Sequence, residues 1–498
     1  ANGFEILDWD TGAINLRSAS PSPSYRGVDV LANVIPYPHW LNPADNTWQL
    51  TAATLVGLMS LPGLAVLYGG LVRKKWIVNT MLMVFSGFSI TLIVWMLWGY
   101  NLAFGPISHF GSTGSFWSGF IGHFTPLATA SSEQGQAVSG ANTLVPFHFP
   151  TATLAYFQFV FAAITPLLFV GAFVGRLKFK AWLLIVPLWI TGVYCINACL
   201  LWGGGFFAQK GAVDYSGGYV IHLSAGVAAF VGAAILGPRR WQDRENAFPS
   251  NLMMVAVGAG IIWLGWNGFN GGDPFYAGAD AASAVLNTNV ATAVGVITWL
   301  LWDMFLSKQK KPTFLGAING MLCGLVAITP SAGFVNGTGA IFVGLISSTI
   351  VWFAWNYLSR VRPFSKVDDA LGVVYTHGIA GLVGGLLVGF LADPSMTEYG
   401  VSGKHYKGPG GFSVDGWFYG HHWHQLWEQF LAACWIICWT ATATAIIFYF
   451  VKWVLGGLRE DDETLRIGDV AIHEEEAYPE PTFGEPIDSP SHLHPDNV

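Results

Sequence analysis

The chain has 498 residues, of which 53% are hydrophobic and only 11% charged. That balance exceeds what one water-soluble core needs, so it excludes an ordinary soluble domain and points to a polytopic protein embedded in a bilayer. The formal charge of -7 gathers largely in the last stretch of chain, which describes an acidic tail and gives no sign of a nucleic-acid partner.

In chain order, residues 1–46 form a segment outside the bilayer, and its start at Ala1 leaves open whether a signal segment has been removed. Crossing ~30 Å of hydrocarbon takes about 20 mainly apolar residues. Stretches of that kind fall near residues 48–71, 76–104, 152–174, 182–203, 218–236, 252–270, 281–305, 314–330, 340–358, 372–391 and 426–455. The eighth is the shortest. The 23 Trp and 60 Gly fit this reading, because indoles collect at membrane interfaces and glycine lets helices approach closely.

Basic residues separate by alternate loops. They crowd near 73–75, 176–180, 239–244, 308–311 and 360–366 and after the last span, whereas the other side keeps Arg17, Arg26, Lys210, Lys404 and Lys407. Because cytoplasmic loops hold the excess of Lys and Arg, the predicted fold is an all-α integral membrane protein with eleven transmembrane helices, N-terminus outside and C-terminus inside. Residues 47–456 make the transmembrane domain and 457–498 a cytoplasmic tail.

The fifth and tenth stretches share a pattern: Asp214, Gly217, His222, Ala225 and Gly226 recur as Asp369, Gly372, His377, Ala380 and Gly381, each pair 155 residues apart. With five spans per half, the second copy enters from the opposite face, an inverted 5+5 repeat followed by one long final helix. Such repeats place the functional site between the halves, which favours a transporter over an enzyme.

His222 and His377 lie in apolar surroundings, where an ionisable side chain is expensive unless it faces a pathway. Desolvation disfavours imidazolium, so each is expected to be neutral, with one donor and one acceptor for a small polar guest. Asp214 and Asp369 stand about two turns earlier, where a carboxylate caps a helix or draws a cation. The segment Trp263 to Asp273, with Trp266, Phe269 and the outlying Trp202, reads either as an interfacial aromatic belt or as a site for a monovalent cation held by ring faces and one carboxylate. Phe157 and Phe161, flanking Gln158, share a helix face that lines a pore or simply packs.

Cys195, Cys199, Cys323, Cys434 and Cys438 read as small core residues rather than metal ligands. His421, His422 and His424, without a carboxylate in register, read as interfacial. No cofactor and no metal is expected. Two rivals stay open: a haem protein with the two histidines as axial ligands, and a receptor that reports occupancy through the tail.

These residues resemble the ammonium transporter (Amt/Mep/Rh) family over roughly residues 47–478. The match runs through Gly63 to Leu71, Phe157-Gln158 with Phe161, Trp202 to Gly205, Asp214 to His222, Gly265 to Gly272, and Asp369 to His377. Gly175 to Trp182 and Gly271 to Pro274 most resemble the second-type plant transporters and their microbial relatives. The resemblance implies a homotrimer in the cell membrane, a pore in each subunit, ammonium or ammonia as substrate with methylammonium as a possible analogue, and a regulatory tail open to a cytosolic partner.

By motif position, it assigns Phe161, Trp202 and Asp273 to an outer recruitment site, with Asp214 behind it. Phe161 and Phe269 become the gate, and His222 and His377 the pore imidazoles. Many bacterial members carry serine at Asp273, family members commonly carry Ala-Glu where Val174-Gly175 stands, and Gly372 replaces an acidic residue seen in some relatives. Ammonium and potassium have similar radii, but only ammonium donates hydrogen bonds and sheds a proton, so the chemistry implies docking, deprotonation and passage of ammonia.

Overall fold

The computed structural model describes residues 38–105, 119–138, 146–397 and 414–479. One unit covers residues 1–40, of which only 38–40 are described; the second begins at Leu41 and contains every element below. Expectations for Arg17, Arg26, Lys404, Lys407, most of the 1–46 segment, part of the 105–151 loop and residues 480–498 lie outside the described residues.

Ten helices among the described residues are long and apolar enough to cross a membrane. They are α1 (Pro43–Leu71), α2 (Lys74–Phe104), α3 (Thr151–Val170), α4 (Phe179–Lys210), α5 (Gly218–Leu236), α6 (Leu252–Gly271), α7 (Ala279–Phe305), α9 (Gly337–Arg360), α10 (Val374–Leu391) and α11 (His424–Val454). The predicted eighth span is α8 (Phe314–Ile328), whose 15 residues reach only about 22 Å. Thr313 starts it by accepting the Gly316 N–H, and Pro330 stops it. The carbonyls of Thr329 and Pro330 then accept from the backbone N–H of Ser216 (3.0 Å) and Tyr215 (3.2 Å), so the short helix braces the segment that leads into α5.

One feature departs from an all-helical fold: β1 (Gln136–Val138) pairs antiparallel with β2 (Pro146–Pro150) in the loop before α3. Another departs from the reading of five core cysteines. All five are free, but on α11 Cys438 is exposed and Cys434 half-buried. Ile446 on the same helix and Leu286 on α7 are both more than 60% exposed, as lipid-facing surfaces require.

α3 is almost wholly buried, α7 lies along α8 and α9, and α11 packs across α5 and α10. The centre is the crossing of α5 and α10. A Cβ on Gly226 would stand 2.2 Å from the Gly378 Cα, and one on Gly381 would stand 2.5 Å from the Gly218 carbonyl and 3.0 Å from the Leu223 N. The two contacts are related by the same 155-residue offset as the sequence motif, and both need a residue without a side chain.

Residues 458–478 fold back over the basic loops. Lys178 N donates to the Leu458 carbonyl, Glu460 N to that of Arg176, and Lys75 Nζ to those of Leu465 (2.7 Å) and Arg466 (3.2 Å). Leu465 is buried against Val72, Trp76, Ile77 and Val174. Asp469 caps α2, accepting the N–H groups of Val78 (2.8 Å) and Asn79 (2.9 Å). His473 Nε2 meets Asn79 Oδ1 at 3.0 Å.

Burial pushes the Asp469 carboxyl up to about 6, with Glu475 and Glu476 adding to the rise and the two N–H donors opposing it. The docked tail therefore binds a proton that a free tail, near 3.8, does not, so this residue tightens docking as pH falls below about 6. His473, which burial holds below its usual range, acts in the opposite sense. Asp469→Asn separates the two. Going from pH 7.5 to 5.5, the wild type is expected to gain more hydrogen-exchange protection at Val78 and Asn79 than the variant; equal changes would contradict this assignment.

Candidate functional site

Both histidines sit on wide π-type turns, residues 218–223 and 374–379, which open the first turns of α5 and α10. Each turn is held by the carboxylate before it. Asp214 Oδ2 accepts from Tyr219 N (3.0 Å) and Val220 N (2.9 Å), while Asp369 accepts from Gly372 N (3.1 Å) and Val374 N (2.8 Å). Gly217 (φ +109°) and Gly372 (φ +78°) turn the chain between acid and helix through a conformation that only glycine takes without strain.

This construction brings the two imidazoles together. His222 Nδ1 and His377 Nδ1 are 3.2 Å apart, with ring centroids at 5.3 Å and planes 21° apart. One Nδ1–H donates to the other Nδ1, which two imidazoliums could not do, and with both rings neutral, as burial favours, they hold opposite tautomers. One Nε2 is then left as an acceptor and the other as a donor. The direct contact leaves no room for a haem between them, which removes that rival.

Trp266 stacks on His222 at 5.3 Å and donates its indole N–H to Thr329 Oγ1 at 2.9 Å. Phe269 follows at 6.0 Å from His222 and packs on Phe161 at 4.4 Å. Phe161 and Phe269 are both buried. Ser216 Oγ donates to the Phe269 carbonyl at 2.8 Å and so fixes the backbone of that ring. Beyond the pair, Trp202 meets Phe161 edge-on at 6.1 Å and donates its indole N–H to the Asp214 carbonyl at 2.6 Å.

Asp273 stands on the loop after α6. It is close enough to Asp214 for the two charges to interact, and Phe275 just beyond it is held at φ +62°, packed against Phe147 and Phe157. Phe157 also packs on Phe161 at 4.7 Å and lies against Gly272. Asp273 Oδ2, Asp214 Oδ1, Gln158 Oε1 and the Tyr194 hydroxyl are buried without a hydrogen-bond partner among the described residues. Buried acceptors of this kind are costly unless a donor arrives.

On the far side of the histidines, His377 and Thr376 line a cavity of about 640 Å³ that opens past Trp299, Trp355 and Lys311 toward the basic loops. Trp202, the phenyl pair, the twin imidazoles and this cavity therefore follow one another by contact. Asp369 sits apart from the outer site, next to Asp368, whose carboxylate pairs with Arg239 at 2.8 Å. His422 has the carboxylate partner that the sequence did not reveal, Asp415 at 3.2 Å, and no cluster among the described residues suits a metal. Tyr194, Ser216 and Thr329 escaped the sequence reading. Ser216 lies within the Asp214 to His222 motif, whereas nothing local marks the other two.

Residues 47–478 match the family model described as Ammonium Transporter Family. The chain is 43% identical to "Ammonium transporter 3 member 1" of Oryza sativa subsp. japonica, with 91% of each covered, and 42% identical to "Ammonium transporter 2" of Arabidopsis thaliana, with 92% of each covered. Among solved structures, Saccharomyces cerevisiae Mep2 superposes with a TM-score of 0.71 at 29% identity, covering 85% of this chain and 89% of Mep2. A protein described as "Sensor Amt Protein" does so at 0.71 and 25%, covering 86% and 98%. The two plant relatives are by name ammonium transporters rather than enzymes, and the similarity to the second-type plant transporters extends over most of the sequence. The chain belongs to the ammonium transporter family.

Proposed function

We propose that this protein moves ammonium or ammonia across the cell membrane through a pore in each subunit of a homotrimer. All eleven predicted segments cross in this reading, with α8 as the short one. The N-terminus is outside and the tail inside, on the face that gathers the basic loops. α1 to α5 and α6 to α10 form the two inverted halves, and α11 spans their seam.

Ammonium docks against the Trp202 face and the Asp273 carboxylate, with Phe157, Gln158 and Trp266 shaping the surroundings and Asp214 adding negative potential. A bare cation in a dry passage costs several kcal/mol or more, so ammonium hands its proton to water on the outer side of the phenyl gate of Phe161 and Phe269. Ammonia then passes His222 and His377, whose opposite tautomers offer one acceptor and one donor to it. Asp369 serves structurally, as the cap of α10, and methylammonium is accepted as an analogue. The docked tail is the surface that a cytosolic regulator would read.

The observation that carries this reading is the direct contact of two buried imidazoles next to a packed phenyl pair, a combination that, with the rings neutral, suits a small guest able both to donate and to accept. Proteoliposomes on a capacitive electrode test it. Ammonium pulses are expected to give a current, or an internal alkalinisation if flux is neutral, while potassium pulses give neither. An equal response to both ions would overturn it.

A further inference from the structure

The cavity that ends on His377 contains a carboxylate that the proposed route leaves unused. Asp303, near the end of α7, is only 9% exposed, and its Oδ1 accepts the indole N–H of Trp352 at 2.8 Å. Its other oxygen takes no hydrogen bond or ion pair from the described residues, although Lys308, Lys310 and Lys311 follow within a few positions. Asp303 lines the cavity, and a Cβ placed on Gly316 would meet Asp303 Oδ2 at 2.3 Å, Thr313 Oγ1 at 2.8 Å and Trp299 Cδ1 at 3.0 Å. Carboxylate, hydroxyl and indole therefore gather at one edge of the cavity, packed so closely on Gly316 that no side chain fits there.

Trp355 meets Trp299 edge to face at 6.3 Å and lies against Gly372, where a Cβ would stand 2.0 Å from its ring. A residue with a side chain at position 372 would push that indole away, so Gly372 and the two tryptophans depend on one another. Lys311 alone among the lining residues carries a fixed positive charge, on the exposed loop before α8, and it is not paired with Asp303. A half-satisfied carboxylate walled by indoles is suited to a small cation that donates hydrogen bonds to oxygen and lies against ring faces.

We infer that Asp303, Trp299 and Trp355 form a second ammonium site on the inner side, which receives the cation once the guest has left His377 and taken a proton from water in the inner cavity. This rests on the proposed transport route. It makes the inner face saturable by ammonium, independently of the outer site at Trp202 and Asp273.

Asp303→Asn keeps the acceptor for Trp352 and removes the charge. In proteoliposomes, this variant is expected to raise the internal ammonium concentration that half-saturates efflux by about tenfold, as for the loss of one charge-assisted contact, while uptake from outside changes by less than about twofold. Crystals of the wild-type protein soaked in thallium(I), a monovalent cation of similar size, are expected to show an anomalous peak beside Asp303 Oδ2 that the variant lacks. If the wild type conducts, an efflux half-saturation within about twofold of wild type in the variant overturns the site whatever thallium shows. If the wild type conducts no ammonium in either direction, the transport reading fails and the thallium peak alone decides: its presence keeps a cation site at Asp303, and its absence removes it.

Discussion

Gly226→Leu is expected to leave no stably folded protomer. Even the first carbon of the new side chain would lie 2.2 Å from the Gly378 Cα and 2.4 Å from its N, both backbone atoms that cannot rotate aside. α5 and α10 would have to separate, and with them the two π-type turns that carry His222 and His377. Overpacking commonly costs ~1–3 kcal/mol, and a clash between two backbones at the centre of a bundle belongs above that range. The matched control is Gly260→Ala on α6, where an added Cβ meets nothing within 4 Å and helix propensity improves by up to ~1 kcal/mol. Size-exclusion profiles and melting temperatures of detergent-solubilised protein check both. A monodisperse Gly226→Leu peak that melts with the wild type would show that the crossing is looser than these distances require.

His222→Ala and His377→Ala are each expected to lower ammonium conduction by about tenfold, ~1.4 kcal/mol in barrier terms, and to weaken discrimination against potassium. Removing either ring ends the 3.2 Å contact that fixes opposite tautomers, so the remaining imidazole loses its assigned donor or acceptor. At His222 the loss also uncovers the faces of Trp266 and Phe269, and the space left beside Thr329 and the surviving histidine is polar enough to admit water. A wet passage lowers the cost of a bare ion, which is the term that keeps potassium out. Currents from ammonium and potassium pulses on the two single variants report both quantities. Unchanged ammonium flux together with unchanged potassium exclusion in both would take the histidines out of the mechanism.

The tail shows how local and distant information divide. Its acidic character and its position after the last span are plain in the chain. That Asp469 caps α2 and that Leu465 fills a pocket between Val72 and Val174 are not, because the partners lie roughly three to four hundred residues earlier. The same holds at the site. His222 and His377 announced themselves by duplication, and Asp214 and Asp369 by their place two turns earlier. Thr329 gave no such signal, since a hydroxyl on a helix has a local alternative, here the Leu325 carbonyl, and only packing decides that it also accepts from Trp266.

The chain by itself determined that the protein is membrane-embedded, where most of its spans lie, which loops share a face, and that two histidine-bearing segments repeat. Those properties follow from composition, apolar run length and loop charge, all of which are short-range. Tertiary structure alone decided that α8 stops at Thr329 to brace the approach to α5, that the imidazoles touch, that Phe161 packs on Phe269 beside them, and that Asp303 lines the cavity with one oxygen unpaired among the described residues. Each of these depends on a distance between residues far apart in sequence. In a bilayer such distances are set by how closely helices pack, here by side-chain-free crossings such as Gly226 on Gly378, and hydrophobic pattern does not encode them.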